Sequence, residues 1–213
     1  MAKTIACLLG SVLCLGTCLP LFMHFKVLNP PLALLWKALG TACALALALM
    51  GAIPGGGARW LCVAALALCV AADVLLDANF LVGMGVFIGS HICYTAWFMG
   101  RTPLGLAQLA AFAVLLVFAG LMLTRWSTLM QGRMLPFAVY AVILCLMGAC
   151  GISCLLEGGA AGFLTALGAA LFVISDAMVC KEVLVPVSRT FDWSAMAIYY
   201  GAQLCLGASC LLL

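Results

Sequence analysis

The sequence predicts an all-α membrane protein with eight transmembrane helices. Hydrophobic residues make up 68% of the 213 residues and charged residues only 7%, whereas soluble domains carry about 25% charged residues. The mean hydropathy is +1.34. A spanning helix needs about 20 mostly apolar residues, so the chain has room for about eight spans joined by short loops. We therefore expect a single polytopic membrane domain over residues 1–213, without a separate soluble domain.

Proline, glycine and charged residues divide the chain into these helices. The first segment follows Lys3 and resembles a signal peptide, but its apolar run reaches Phe25, so we expect a retained helix. The second segment begins at Asn29-Pro30-Pro31 and ends at Pro54-Gly55-Gly56-Gly57, a turn that no helix interior would tolerate. Arg101-Thr102-Pro103 separates the fourth segment from the fifth.

Three further breaks complete the division. Arg125 to Arg133 forms a polar loop, Glu157-Gly158-Gly159 forms a tight turn, and Lys181 to Trp193 forms the longest connection. Backbone groups in hydrocarbon must be satisfied internally, and the apolar residues run continuously instead of alternating, so we expect helices and not barrel strands. The predicted spans are 4–23, 31–52, 59–77, 80–99, 104–124, 134–156, 160–180 and 193–212.

Two acidic residues, Asp73 and Asp176, lie inside the third and seventh predicted spans. A carboxylate at bilayer depth costs about 2.5–3.5 kcal/mol even on the lenient insertion scale, so a functional role is the first hypothesis for each. A structural hydrogen bond to a neighbouring helix is the alternative. Segments four apart run in the same direction, so both acids approach one membrane face at similar depth, as in a parallel 4+4 repeat.

Other polar residues accompany these acids. Asp77 shares a helix face with Asp73, although it is also placed to be a solvated helix end. Ser175 precedes Asp176 and is a secondary candidate. Lys37 lies about two turns into the second span, where it either snorkels to the headgroups, holds a lipid phosphate or pairs with an acid.

The helix that follows each acid also carries polar side chains. His91 lies inside the fourth span, with Ser90 beside it and Tyr94 three residues on, on nearly the same helix face. A lone buried histidine is more often a packing residue than a catalyst, but these neighbours favour a site. The last span carries three further candidates, of which the tyrosines are equally typical of interfacial anchors: Tyr199, Tyr200 and Gln203.

Other chemistries have no motif support. GxSxG, HExxH, Walker and Rossmann motifs are missing from the sequence. The thirteen cysteines are scattered without a CxxC pair, so we interpret them as small apolar packing residues and assign no disulfide or metal site. No run of Lys or Arg suggests nucleic acid. Acid/base chemistry remains, because two carboxyl groups in an apolar cavity can share a proton, so that one acts as an acid while the other stays ionised.

Four short sequence blocks, taken in their order along the chain, resemble those of a known family. They are ADVLL, F-x-x-SHICYTAWF, ALFVISDAMV and IYYGAQ. Together they resemble the YhhN-like membrane family, the lysoplasmalogenases. The stretch FKVLNPPLALLWKALG is similar to the lysine-bearing second helix of that family, and its lysine matches Lys37. One departure is Ala72, because the family usually has glycine before the first aspartate.

The resemblance implies an eight-helix integral membrane hydrolase with catalytic acids at Asp73 and Asp176. The implied reaction cleaves the vinyl ether bond of lysoplasmalogens, releasing a fatty aldehyde and glycerophosphoethanolamine or glycerophosphocholine. The expected partners are lysoplasmenyl ethanolamine or choline and membrane lipids, with no nucleic acid. No metal or organic cofactor is needed. The candidates for holding the phosphate, the water or the glycerol oxygens are Lys37, His91, Tyr94, Tyr200 and Gln203.

A small transporter or channel is the alternative from another class. Intramembrane polar residues and a parallel repeat are also typical of such proteins. Against it, no span is broken at mid-depth, where Gly83 and Gly85 are the nearest candidates. Within the enzyme class, another lysolipid or alkenyl ether is the alternative substrate. A structural scaffold would leave Asp73 and Asp176 unexplained.

Overall fold

The computed structural model describes residues 1–130 and 132–213, and the regular elements within them are helices. Eight of these helices are long and apolar enough to cross a membrane, which confirms the predicted fold class. They are α1 (Ala2–Leu28), α2 (Pro30–Gly55), α3 (Arg59–Ala78), α4 (Phe80–Met99), α5 (Leu106–Arg125), α6 (Met134–Ser153), α7 (Gly159–Leu184) and α8 (Arg189–Leu212).

Most helix ends follow the signals that the sequence provides. Oδ1 of Asn29 accepts a hydrogen bond from the backbone N–H of Leu32 at 3.3 Å, and Oδ1 of Asn79 accepts one from Val82 at 3.2 Å. Such side-chain acceptors satisfy amides that lack a partner in the first turn of a helix. Gly56, which follows α2, has a φ of 60°, a left-handed conformation that glycine adopts without steric cost.

The structure corrects three predicted boundaries. The turn predicted at Pro54-Gly55-Gly56-Gly57 begins only at Gly56, because α2 continues through Pro54 to Gly55, and a proline this close to the helix end disrupts little of the helix. α1 continues to Leu28, five residues beyond its predicted end, through a π-helical segment at Val12–Cys18. The predicted long connection from Lys181 to Trp193 is wrong, because α7 reaches Leu184 and α8 begins at Arg189. Its charged residues belong to the helices, and two of them, Glu182 and Asp192, pair with Lys26 of α1. The connection between α5 and α6, residues 126–133, is longer.

α8 is the centre of the bundle and α5 lies at its edge. α8 packs against α2, α3 and α7, whereas α5 packs along α6. In the most apolar 18-residue stretch of α8, 72% of the residues are buried, against 6% in α5. Each acid-bearing helix packs closely on the helix that follows it, α3 on α4 and α7 on α8. The parallel 4+4 repeat nevertheless stays a prediction.

A glycine lets α2 and α8 approach closely. A Cβ atom at Gly40 would lie 2.5 Å from Cζ of Tyr200, so any larger residue would displace this ring. The Tyr200 hydroxyl donates a hydrogen bond to the backbone carbonyl of Lys37 at 3.1 Å. This contact fixes the turn of α2 from which the lysine side chain projects.

Candidate active site

A cavity of about 610 Å³ lies at one end of the bundle, where its lining includes Pro30, Phe80 and Trp126 beside the helix connections. Its walls are mainly apolar, but they include two lysines, five carboxylates and two tyrosines. Both aspartates that the sequence singled out line this one cavity. The polar lining residues are Lys26, Lys37, Asp73, Asp77, Tyr140, Asp176, Glu182, Asp192 and Tyr199.

Asp73 is held by hydroxyl groups from two other helices. Its side chain is buried on α3, and Oδ2 accepts a hydrogen bond of 2.6 Å from the Thr41 hydroxyl of α2. The same oxygen accepts a bond of 2.9 Å from the Tyr199 hydroxyl of α8. Two donors on one oxygen fix the orientation of the carboxyl group. The sequence singled out Tyr199 but not Thr41, whose short side chain gives no local signal in an apolar helix.

Asp176 is held by a tyrosine and a histidine. The Tyr140 hydroxyl of α6 donates a hydrogen bond of 2.5 Å to Oδ2 of Asp176. Nε2 of His91 lies 3.0 Å from that hydroxyl and 3.5 Å from the carboxylate oxygen. His91 is fully buried behind the pair, and its Nδ1 has no hydrogen-bond partner among the described residues. The histidine therefore supports the acid from inside the bundle.

Aromatic rings connect the surroundings of the two acids. The ring of Phe172 lies 5.7 Å from the ring of Tyr199, which bonds Asp73, and 5.0 Å from the ring of His91, which contacts Asp176. Edge-to-face contacts of this kind are favourable and rigid. The two acids therefore share one packed wall, in addition to one cavity.

Lys37 projects into the cavity from α2. Its Nζ lies 3.3 Å from Oδ2 of Asp77, which is 53% exposed, whereas the lysine side chain is only 12% exposed. The sequence allowed three roles for Lys37: snorkelling to the headgroups, holding a lipid phosphate or pairing with an acid. The contact observed here is the pairing with an acid. The partner is the exposed Asp77 at the helix end, so an incoming anion could take its place at the amine.

A second charged group, not singled out from the sequence, lies in the same wall. Nζ of Lys26 on α1 lies 2.8 Å from both carboxylate oxygens of Asp192 and 3.1 Å from Glu182. These residues tie α1 to α7 and α8 at the cavity. Glu182 and Asp192 are among the charged residues that the sequence analysis placed in the connection from Lys181 to Trp193.

Four other predicted residues make contacts between helices. Tyr94 and Gln203 are fully buried, and the tyrosine hydroxyl donates to Oε1 of the glutamine at 3.1 Å. Ser90 lies 3.0 Å from Sγ of Cys69. The Ser175 hydroxyl points at the backbone carbonyl of Ala195 at 3.4 Å. Their roles in the site stay predictions.

Tyr140 is the main residue that sequence reasoning missed. The chain has four tyrosines, and the other three stand in blocks with several polar neighbours. Tyr140 stands alone in an apolar helix. A hydroxyl group in apolar surroundings needs a hydrogen-bond partner. A single tyrosine within an apolar helix therefore indicates a polar contact with another helix.

Comparisons with known proteins identify the family of the chain. The sequence model of the YhhN family matches residues 32–210. Lysoplasmalogenase TMEM86B of Rattus norvegicus is 34% identical over 171 residues, 78% of this chain and 68% of the relative. Lysoplasmalogenase TMEM86B of Homo sapiens is 30% identical over 196 residues, 89% of this chain and 82% of the relative. No solved structure matches.

Proposed function

The chain belongs to the YhhN family, and we propose that it hydrolyses the vinyl ether bond of lysoplasmalogens. The products would be a fatty aldehyde and glycerophosphoethanolamine or glycerophosphocholine. The protein is a multi-pass integral membrane protein, so a lysolipid reaches it within the bilayer. The relatives named lysoplasmalogenase support the reaction, and the observation that carries it here is that Asp73 and Asp176 line one mostly apolar cavity.

The chemistry of an enol ether suits a pair of carboxyl groups. One aspartate, protonated, transfers its proton to the alkenyl carbon that is not bonded to oxygen, and the double-bond electrons form the new C–H bond. The resulting oxocarbenium ion is stabilised by the other, ionised aspartate, which also takes a proton from the attacking water. The bond from the hemiacetal carbon to the glycerol oxygen then breaks. The second aspartate gives the proton it took from water to the glycerol oxygen, and the first takes the hemiacetal hydroxyl proton, so the aldehyde forms and both acids return to their starting states.

The hydrogen bonds around each acid support a role for both carboxyl groups as positioned catalytic groups. Asp73 accepts from Thr41 and Tyr199, whereas Asp176 accepts from Tyr140 with His91 close by. Fixed donors hold each carboxyl group in place, so little reorganisation is needed when charge develops on the substrate.

Lys37 is the group that we assign to the substrate phosphate. Its amine lies in the same cavity as the two acids, and its partner Asp77 is exposed. A phosphate that displaced this carboxylate would place the glycerol between the lysine and the acids. The vinyl ether, at the other end of the glycerol, would then face Asp73 and Asp176.

The test is aldehyde release by purified protein from lysoplasmenyl ethanolamine and lysoplasmenyl choline. Positioned acid/base groups contribute about 10²–10⁴-fold to a rate, so Asp73→Asn and Asp176→Asn should each lose at least about 100-fold in kcat. Glu157→Gln is the matched control, because Glu157 pairs with Arg101 outside the cavity. It should keep the wild-type kcat per folded molecule.

The absence of aldehyde release would overturn the proposal. If folded wild-type protein released no aldehyde from either lipid, hydrolysis would be excluded, and proton or solute flux through the acid-lined cavity would be measured next. If only one aspartate variant lost activity, the activity would stand but the paired-acid mechanism would fail.

A further inference from the structure

An apolar groove lies between α5 and α7, on the outer side of the acid-lined cavity. Its volume is about 740 Å³, and its walls include Ile174 and Met178 of α7 and Phe118 of α5. Within the described residues, α5 packs along α6, and α7 packs on α6 and α8. α5 and α7 thus stand side by side on α6 with this space between them.

The groove is continuous with the cavity. Six residues line both spaces: Leu115, Phe118, Met122, Trp126, Val173 and Ala177. Ala177, which lines both spaces, directly follows Asp176, which lines the cavity, so this acid lies close to the place where the two spaces join. Apolar side chains therefore line an unbroken path from this acid to the lipid-facing side of the bundle.

A glycine on α6 lies beneath two residues that line both spaces. A Cβ atom at Gly148 would lie 2.6 Å from Val173 and 3.1 Å from Leu115. Without a side chain there, these two residues from opposite walls both rest on α6. These contacts are thus made by small and aliphatic groups, which suit a hydrocarbon ligand.

Charge is divided unequally between the two spaces. The cavity lining contains seven lysine, aspartate and glutamate residues. The described lining of the groove contains only two charged residues, Arg125 and Lys181. Both lie near helix ends, and Nζ of Lys181 sits 4.7 Å above the ring of Phe191. A ligand that fills both spaces therefore has a charged headgroup at one end and a hydrocarbon chain at the other.

We propose that the groove binds the hydrocarbon chain of the lysophospholipid and admits it sideways from the bilayer. The proposal rests on the proposed function, since it identifies the chain as that of the vinyl ether substrate. Exposing methylene groups to water is unfavourable, and a chain that enters between α5 and α7 stays in apolar surroundings throughout. With the phosphate at Lys37 and the chain in the groove, the ether bond lies between them, beside Asp176.

Photo-crosslinking tests the groove without relying on turnover. The probe is a saturated 1-O-alkyl lysophosphocholine with a diazirine near the end of its chain, which has no vinyl ether to cleave. In wild-type protein in lipid nanodiscs, we expect labelling concentrated on residues 115–126 and 170–178. Excess lysoplasmenyl choline should reduce it. Labelling spread evenly over all lipid-facing helices would overturn the proposal.

A substitution tests the same site by kinetics. Ala170 lines the groove but is outside the cavity lining, so Ala170→Trp should block the chain without touching the acids. We expect KM for a lysoplasmenyl lipid with a 16-carbon chain to rise about tenfold, with kcat within about twofold and an 8-carbon analogue little affected. Ala110→Trp, at an exposed position of α5 outside both linings, is the control.

The outcomes separate the two proposals. Equal effects on both chain lengths, or equal effects at Ala110, would contradict the groove. If wild-type protein released no aldehyde, the proposed function would fail, and the labelling pattern would still decide whether lysolipid chains bind here. If Ala170→Trp did not fold, the labelling of the wild-type protein would give the same decision.

Discussion

The Tyr140 hydroxyl donates a hydrogen bond of 2.5 Å to Oδ2 of Asp176, and this contact joins α6 to the acid-bearing face of α7. Tyr140→Phe would remove the donor and keep the ring. A hydrogen bond to a charged group is worth about 1.5–3 kcal/mol, so we expect kcat to fall by about 10–100-fold. KM should change little, because the hydroxyl positions the acid. Aldehyde-release kinetics measure both constants, and an unchanged kcat would contradict a positioning role.

Asp73 offers a test of two donors that share one acceptor. Thr41→Val and Tyr199→Phe each remove one hydrogen bond to Oδ2 and leave the other. We expect a loss of about tenfold in kcat for each variant. Because both donors act on one oxygen, their effects should not add. A double-mutant cycle measures this coupling, and purely additive losses would show that the hydroxyls act independently.

Lys37 should affect substrate binding more than chemistry. Lys37→Gln removes the charge assigned to the phosphate, and we expect KM to rise about tenfold with kcat within about twofold. Lys37→Arg keeps the charge and should restore much of the binding. The reverse change, Asp77→Asn, frees the amine from its observed partner and should lower KM or leave it unchanged. A rise in KM for Asp77→Asn would argue that the carboxylate itself binds the headgroup.

A stability prediction concerns the end of the bundle away from the cavity. Arg101 donates to Glu157 at 2.5 Å and to Thr165 at 2.7 Å, and its side chain is only 8% exposed. The Glu157 carboxylate that Arg101→Met leaves behind is 29% exposed, so the cost comes mainly from the lost hydrogen bonds and should be about 1.5–3 kcal/mol of unfolding free energy. Denaturation in detergent measures it. The kcat of the folded fraction should not change, and a large loss of kcat would mean that this end also shapes the site.

The sequence predicted those features of the fold and of the candidate site that depend on residues close together in the chain. Asp73 and Asp176 stood out because a carboxyl group in an apolar helix is expensive, and both line the cavity. The helix starts at Pro30 and Phe80 follow asparagine caps that can be recognised in the sequence. These features need only a few neighbouring residues.

The remaining features depend on contacts between distant segments. Lys26 pairs with Asp192 across 166 residues, so no local pattern indicated that the charged residues near 181–193 lie inside helices. Tyr140 meets Asp176 from another helix, and its own surroundings in the chain are apolar. Such partners become visible only when the helices are packed.

The central position of α8 has a consequence for biosynthesis. Tyr199 completes the hydrogen bonding of Asp73 from 126 residues further along the chain. At about 5–20 residues per second, a ribosome needs roughly 6–25 s to make that length. During this interval the Asp73 carboxyl group lacks its second hydrogen-bond donor. Assembly of the candidate site is therefore a late event in translation that depends on insertion of α8.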